Sequence, residues 1–183
     1  MNPPNRSLRL AALAAAFMAA TLLQGCATPA TPQAMSIDYS DVAASTRPEL
    51  KGAFVVRNVS GGKATNPLWT SQVDNAGFRQ ALVQSLAVAG YGAAPGQTGR
   101  YQIDAELQQL EQPLFGFTFD VVSSVQYTVE GEGQRQQFPI SATGSAKTSD
   151  AIVAVERLRI ANERSIKENI KAFIGQLSQL PSR

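Results

Sequence analysis

Apolar and polar residues alternate along several segments of the chain, and this period of two predicts β-strands. The alternating segments are 101–108, 115–130 and 138–144, and an apolar run over 53–59, bounded by Gly52 and by Ser60-Gly61-Gly62, predicts a fourth strand. In the longest of them nearly every odd position is apolar, so one side of that strand is expected to be buried and the other wet. A glycine-bearing turn at 131–133 separates the last two segments and predicts a hairpin.

Two other segments place apolar residues three or four positions apart, which predicts helices. The first begins with a capping pattern near Ser71 and ends at Gly90. The second is expected to be capped at 149–150 and to stop before Pro181. Its apolar stripe shifts halfway along, which indicates a kink or a break near Asn162.

The elements therefore follow the order β-α-β-β-β-α, and the predicted fold class is α+β. We expect an antiparallel sheet of about four strands with two helices packed on one face. Met35, Ile37 and Tyr39 also alternate with polar residues and predict a further short strand ahead of the others.

Residues 1–25 have the layout of a bacterial lipoprotein signal peptide. Arg6 and Arg9 precede an apolar run over 10–23, which is shorter than the roughly 20 residues of a transmembrane helix. The run ends in Leu23-Gln24-Gly25-Cys26. This sequence resembles the lipobox, with an aliphatic residue three positions before the cysteine and a small residue directly before it.

The lipobox resemblance implies that Cys26 is the lipidation site and carries a diacylglycerol and an amide-linked acyl chain such as palmitate. Ala27 stands where retention in the inner membrane would prefer Asp, so we expect a lipid-anchored protein of the cell outer membrane that faces the periplasm. Residues 26–35 then form a lipidated Pro/Thr/Ala tether, and 36–183 form a single domain. A plain secretory signal with an incidental cysteine is the alternative.

The formal net charge of the chain changes when the predicted signal peptide is removed. Without Arg6 and Arg9 the chain keeps 14 basic residues against 14 acidic ones, so the mature part is formally neutral. Proteins that track a phosphate backbone carry a basic excess. We therefore expect no nucleic-acid partner.

Catalytic chemistry has few candidates in this composition. The chain has no histidine and one cysteine, which excludes serine–histidine, cysteine–histidine and histidine-bearing zinc sites. Asp104 and Glu106 project from the same face of a strand and are the remaining acid/base candidates. A solvated strand face explains them better, so we expect no enzyme, no catalytic residue, no metal and no cofactor.

Two loops are candidate contact surfaces. Leu114, Phe115 and Phe117 lie between the second and third sheet strands, where they either meet a partner or lipid, or fold back into the core. Trp69 lies in the loop before the first helix, where it either anchors a partner contact or closes the core.

The order of elements resembles that of small envelope lipoproteins of Gram-negative bacteria. It is similar to the lipopolysaccharide-assembly lipoprotein, to YajG-like lipoproteins and to auxiliary lipoproteins of ABC-type lipid transporters. The last comparison draws on Asn66-Pro67-Leu68-Trp69 and on a long terminal helix after a strand meander.

This resemblance implies a non-catalytic accessory or scaffold in the assembly, transport or maintenance of the cell envelope. Such a protein is bound to the membrane through its N-terminal lipid and contacts an envelope protein partner. The alternative is a periplasmic binding module for a lipid or glycan, for example in a lipid transporter.

Overall fold

The computed structural model describes residues 27–42, 47–67, 70–177 and 180. The signal peptide, the predicted lipidation site Cys26 and the predicted contact residue Trp69 lie outside these described residues.

A four-stranded sheet forms one layer of the fold. Its strands are β1 (Phe54–Ser60), β2 (Tyr101–Glu111), β3 (Thr118–Gly131) and β4 (Gln134–Lys147), and they are adjacent in that order. The helices are α1 (Pro32–Met35), α2 (Asn75–Val88) and α3 (Ala154–Leu177), with short 3-10 turns at Tyr39–Asp41 and Pro48–Leu50. The α+β class is confirmed, and so is the β-α-β-β-β-α order of the main elements; α1 is an addition.

The first strand pairs differently from the rest of the sheet. β2–β3 and β3–β4 are antiparallel, as predicted, but β1 lies parallel to β2. The cause is α2, because a helix between two adjacent strands returns the chain to the end where the first strand began. The expected antiparallel sheet is therefore a mixed one.

The core lies between one face of the sheet and the helices α2 and α3. Tyr127 on β3 stacks on Phe173 of α3 with ring centroids 3.9 Å apart, and Phe78 of α2 meets the same tyrosine edge-on. All three side chains are fully buried, and aromatic contacts of this kind add to the free energy that burial supplies.

Helix α3 is continuous from Ala154 to Leu177, so it has no break near Asn162. The apolar stripe shifts because the two halves of the helix cover different clusters. The first half packs on Phe119 and Val121, and the second half packs on the main core. The expected cap at 149–150 is also wrong, because the helix begins only at Ala154.

The closest approach of α3 to the sheet is at Gly144 of β4. A Cβ atom on Gly144 would lie 2.1 Å from the Ser165 nitrogen and 2.5 Å from the Ala161 carbonyl oxygen. The Ser165 hydroxyl there donates to the Ala142 carbonyl oxygen over 3.0 Å. Asn169 donates to the carbonyl oxygens of Ser123 and Ile140, also over 3.0 Å. These buried polar groups are satisfied, which fixes the position of the helix along the strand.

Residues 27–42, which we call the N-terminal strap, lie on the domain. Met35 is fully buried, and α1 contacts both α2 and α3. The tether predicted over 26–35 is therefore docked in its described part, and the strand predicted at 35–39 is replaced by α1 and a 3-10 turn. The sequence pattern did not predict that this segment packs on the domain. Its packing residues include small ones such as Ala30, which show no helical or strand periodicity in the sequence.

Hydrogen bonds and ion pairs run from the strap along α3. The Thr31 amide and hydroxyl donate to the buried Glu163 carboxylate over 2.8 and 2.9 Å. Asp41 forms ion pairs with Lys167 at 2.8 Å and Lys171 at 3.0 Å. The half-buried lysines lower the pKa of the Asp41 carboxyl although burial opposes this. The strap thus runs from the middle of α3 towards its C-terminal end.

We expect Gly144→Ala to destabilise the fold by about 3 kcal/mol, because the added methyl group must push α3 away from β4. Gly175→Ala on α3 is the control, because a Cβ there meets nothing within 4 Å. This substitution should be neutral or should stabilise the fold by up to about 1 kcal/mol. Urea unfolding followed by circular dichroism measures both changes. Equal stability of the two variants would contradict the close helix–sheet contact.

Candidate functional site: an apolar tip and an adjoining cleft

Five large apolar side chains are exposed at one end of the sheet. Exposed fractions are 93% for Leu114, 86% for Phe115, 84% for Phe117, 90% for Ile152 and 51% for Val153. We call these five residues the apolar tip. A contiguous group of this kind on a soluble surface usually marks a binding site.

The tip consists of two loops. The loop between β2 and β3 carries Leu114, Phe115 and Phe117, and β3 begins only at Thr118. The alternation of apolar and polar residues therefore continues beyond the N-terminal end of β3. The apolar side chains there are not covered by the helices. The alternative in which Leu114 and Phe115 fold into the core is wrong. Phe119, the next residue in the series, is buried.

Buried Arg157 in the first turn of α3 joins the two loops. Its guanidinium donates to the carbonyl oxygens of Ala151 and Ile152 over 2.8 and 3.0 Å, and to the carbonyl oxygen of Gly116 over 3.0 Å. The same group lies 4.7 Å from the centre of the Phe119 ring. One planar cation thus holds both loop backbones in fixed positions.

The loop from β4 to α3 is also held by Asp150. Its carboxylate accepts from Arg164 over 2.8 Å and from the Lys147 amide over 2.7 Å. Arg164, together with that amide, lowers the pKa of the Asp150 carboxyl to about 2. Asp150 therefore stays ionised through the physiological range and keeps this loop closed.

A cleft of about 640 Å³ opens beside the tip. Its floor is β2, and its walls are the loop after β1, the loop after β2 and the first turns of α3. The lining mixes apolar side chains with glutamines and a single lysine. It includes Lys63, Gln72, Gln109, Leu110, Phe119 and Leu158.

Hydrogen bonds connect the cleft to the beginning of the strap. Gln112 donates to the Ser71 carbonyl oxygen over 2.9 Å and to the Asn162 side chain over 2.8 Å. Gln72 donates to the Gln112 side chain over 3.0 Å, and the Gln72 carbonyl oxygen accepts from the Ala30 amide over 3.1 Å. The tip, the cleft and the beginning of the strap therefore share one end of the domain.

Sequence reasoning found part of this site. It selected Leu114, Phe115 and Phe117, which the structure brings together with two residues that it missed, Ile152 and Val153. Because the helix was predicted to begin after a cap at 149–150, both positions fell inside the predicted helix, whereas α3 begins at Ala154. Arg157 was missed as well, because an arginine in a helix gives no local indication of burial.

Of the two acid/base candidates, Asp104 forms an ion pair with Arg57 and Glu106 is exposed. On the open face of the sheet, the Arg57 guanidinium binds the Asp104 carboxylate and also lies 2.8 Å from Glu130. Its hydrogen bond lowers the pKa of the Asp104 carboxyl. This arrangement is an exposed ion-pair network, which contributes little to stability.

Within the described ranges, no three acidic, histidine or cysteine side chains are grouped so as to hold a metal ion. Among the helices described there, none combines the length and apolar character required to cross a bilayer.

No protein-family model matches the chain, and no curated protein matches it in sequence. Among solved structures it is similar to a provisionally assigned lipoprotein from Caulobacter crescentus CB15, with a TM-score of 0.50 and 13% identity over 72% of this chain and 92% of that one. This likeness shows a shared fold.

Two other solved structures are similar at a TM-score of 0.48 and 10% identity. One is a DUF330 protein from Xanthomonas campestris, with 84% of this chain and 93% of that chain covered. The other is a hypothetical protein from Chlamydia trachomatis, with 70% and 98% covered.

We expect Arg157→Met to lower the free energy of unfolding by about 3 kcal/mol, because three carbonyl groups lose a charged donor. Amide hydrogen exchange over 114–117 and 151–153 should accelerate. Arg135→Met is the control, since that arginine is exposed and forms an ion pair with Glu130 at 3.5 Å, and its effect should stay below about 0.5 kcal/mol. Unchanged exchange in both loops would show that Arg157 does not hold them.

The Asp150 carboxyl should titrate in the folded protein near pH 2, as followed by its carboxyl ¹³C shift. Because its folded pKa lies below the ordinary 3.8, its contribution to stability is complete above that value and is lost as the pH falls through 2. Arg164→Gln should raise the midpoint towards 3.8, whereas Arg135→Gln should leave it unchanged. A midpoint insensitive to Arg164 would contradict the assigned cause.

Proposed function

We propose that this protein is a lipid-anchored, non-catalytic accessory protein of the bacterial envelope that holds a protein partner at the membrane surface. Cys26 supplies the anchor, and the cleft beside the apolar tip receives the partner. Ala27 after the cysteine favours the outer membrane, with the domain in the periplasm. The sequence resemblance to small envelope lipoproteins supports the same role.

One observation carries this proposal. The exposed apolar side chains and the large cleft lie at the end where the strap begins, and the strap begins at Ala27, directly after Cys26. The Ala27 amide donates to the Pro67 carbonyl oxygen over 2.7 Å and the residue is buried. A lipid on Cys26 therefore brings the binding end of the domain to the membrane.

Binding is also the activity that the chemistry of the site favours. The cleft offers amide groups at Gln72, Gln109 and Gln112 and an ammonium group at Lys63. Gln72 and Gln112 are already hydrogen-bonded to each other, so Gln109 and Lys63 are the groups that we expect to donate to a peptide partner. The Cys26 thiol, in this proposal, is taken up by the lipid.

A lipid ligand is the second candidate, and the apolar part of the cleft supports it. Leu110, Phe119 and Leu158 line the cleft beside Leu114, so an acyl chain could lie against them while its headgroup meets Lys63. The protein would then bind an amphipathic envelope lipid close to the bilayer.

We expect a photoreactive amino acid at Gln109, an exposed position on the cleft, to capture one defined envelope protein in living cells. The same probe at Gln134, on the hairpin at the far end of the sheet, is the matched control and should capture nothing specific. Cys26→Ser should reduce the capture strongly, because the partner is met at the membrane. Immunoblotting and mass spectrometry of the adduct measure the result.

A variant whose cleft is filled by a larger side chain tests whether the captured protein binds in the cleft. Ala154 is exposed and lines the cleft, so Ala154→Trp should abolish capture from Gln109, whereas Gln134→Trp should not. Capture that survives Ala154→Trp would contradict a partner in the cleft. A co-purified lipid in native mass spectrometry, released by Ala154→Trp, would favour the second candidate instead.

A further inference from the structure

We propose that the apolar tip is a membrane-contacting surface that dips into the same bilayer that carries the Cys26 lipid. This inference rests on the proposed anchoring at Cys26 and adds the orientation of the domain. The tip would then serve as a second membrane contact, and the cleft beside it would open along the membrane surface.

The first argument is that the segment between the proposed lipid anchor and the folded domain is very short. Ala27 is buried and hydrogen-bonded to the loop after β1, and Ala30, Thr31 and Met35 continue the docked strap. One residue spans at most about 3.6 Å. A lipidated cysteine next to Ala27 therefore holds this end of the domain against the headgroups, and no extended tether lifts it away.

The second argument is the direction of the strap. Thr31 binds Glu163, Asp38 lies 3.0 Å from Lys167 and Asp41 lies 3.0 Å from Lys171. Traced backwards, the strap heads for the N-terminal end of α3. With a rise of 1.5 Å per residue, the helix begins about 14 Å from Glu163. The tip residues Ile152 and Val153 directly precede that first turn.

The third argument is the composition of the two loops. The segments 112–117 and 151–153 contain no charged residue, and their exposed side chains are leucine, isoleucine, valine and two phenylalanines. Burying such side chains between the lipid headgroups and the acyl chains is favourable. A segment without charged residues can enter this region without the free-energy cost of removing a charge from water. Basic and acidic side chains return only at the flanks, with Lys147, Asp150 and Glu111.

The fourth argument is rigidity. Arg157 hydrogen-bonds to Gly116 in one loop and to Ala151 and Ile152 in the other. The two sets of apolar side chains are thereby presented together, and membrane contact orders no further backbone. A surface fixed before it binds loses less entropy on binding.

The experiment uses the lipidated protein on vesicles of phosphatidylethanolamine and phosphatidylglycerol. Cys26 is the only cysteine and is acylated, so Leu114→Cys introduces the single reactive thiol for a nitrobenzoxadiazole label. Gln134→Cys is the matched control at the opposite end of the sheet. Flotation reports anchoring, and emission wavelength with iodide quenching reports membrane contact by the labelled side chain.

We expect both labelled proteins to float. The label at 114 should show blue-shifted emission and several-fold weaker iodide quenching, while the label at 134 behaves as in water. Adding Phe115→Asp with Phe117→Asp should restore quenching at 114 without loss of flotation. Both phenylalanines are exposed, so thermal unfolding should be unchanged and the loss assigned to the membrane contact.

Three outcomes would overturn the inference. If the protein floats but both labels are quenched equally, the anchor is present and the tip does not face the bilayer. If the protein does not float, anchoring at Cys26 fails, and the proposed function fails with it. If a photoreactive group at Phe115 in cells attaches to a protein rather than to lipid, the tip is a protein contact.

Discussion

The contact of α3 with the sheet at Gly144 is the constraint on which the rest of the structure depends. Only a residue without a side chain lets the helix backbone lie on β4 at this distance, and the Ser123, Ser165 and Asn169 hydrogen bonds then fix the helix along the strand. The position of α3 in turn sets where Arg157 meets the loops and where Glu163 meets the strap. A single backbone contact thus affects both the loops at the N-terminal end of the helix and the strap along its side.

The arrangement of the apolar tip and the cleft follows from that placement. Arg157 draws the loops after β2 and β4 together, and Asn162 and Gln112 connect them to the segment that begins at Ala27. The apolar tip, the cleft and Ala27 consequently lie at one end of the sheet, whereas the open sheet face carries the Arg57 ion-pair network. The polarity between these two surfaces is the main structural support for a function at the membrane.

Prediction from sequence was most successful where the relevant physics is local. Alternation identified β2, β3 and β4, and a glycine-bounded apolar run identified β1. The stripe through Phe78, Leu82 and Leu86 identified α2, because side-chain direction within an element depends only on its own period. Prediction from sequence was wrong where the conformation of a segment depends on an element that is distant in the chain. The strap packs because α2 and α3 leave a space for Met35, and β1 is parallel because of where α2 ends.

The sequence by itself determined the class of the fold, the order of its main elements and the set of residues capable of chemistry, since composition and periodicity do not require tertiary contacts. The tertiary structure alone decided that Leu114, Phe115 and Phe117 are exposed, that Ile152 and Val153 join them, and that the strap starts beside them. Exposure depends on what lies above a side chain, and that covering comes from residues far away in the chain. The same alternation therefore continues from buried Phe119 back to exposed Phe115 without any change that the sequence alone would reveal.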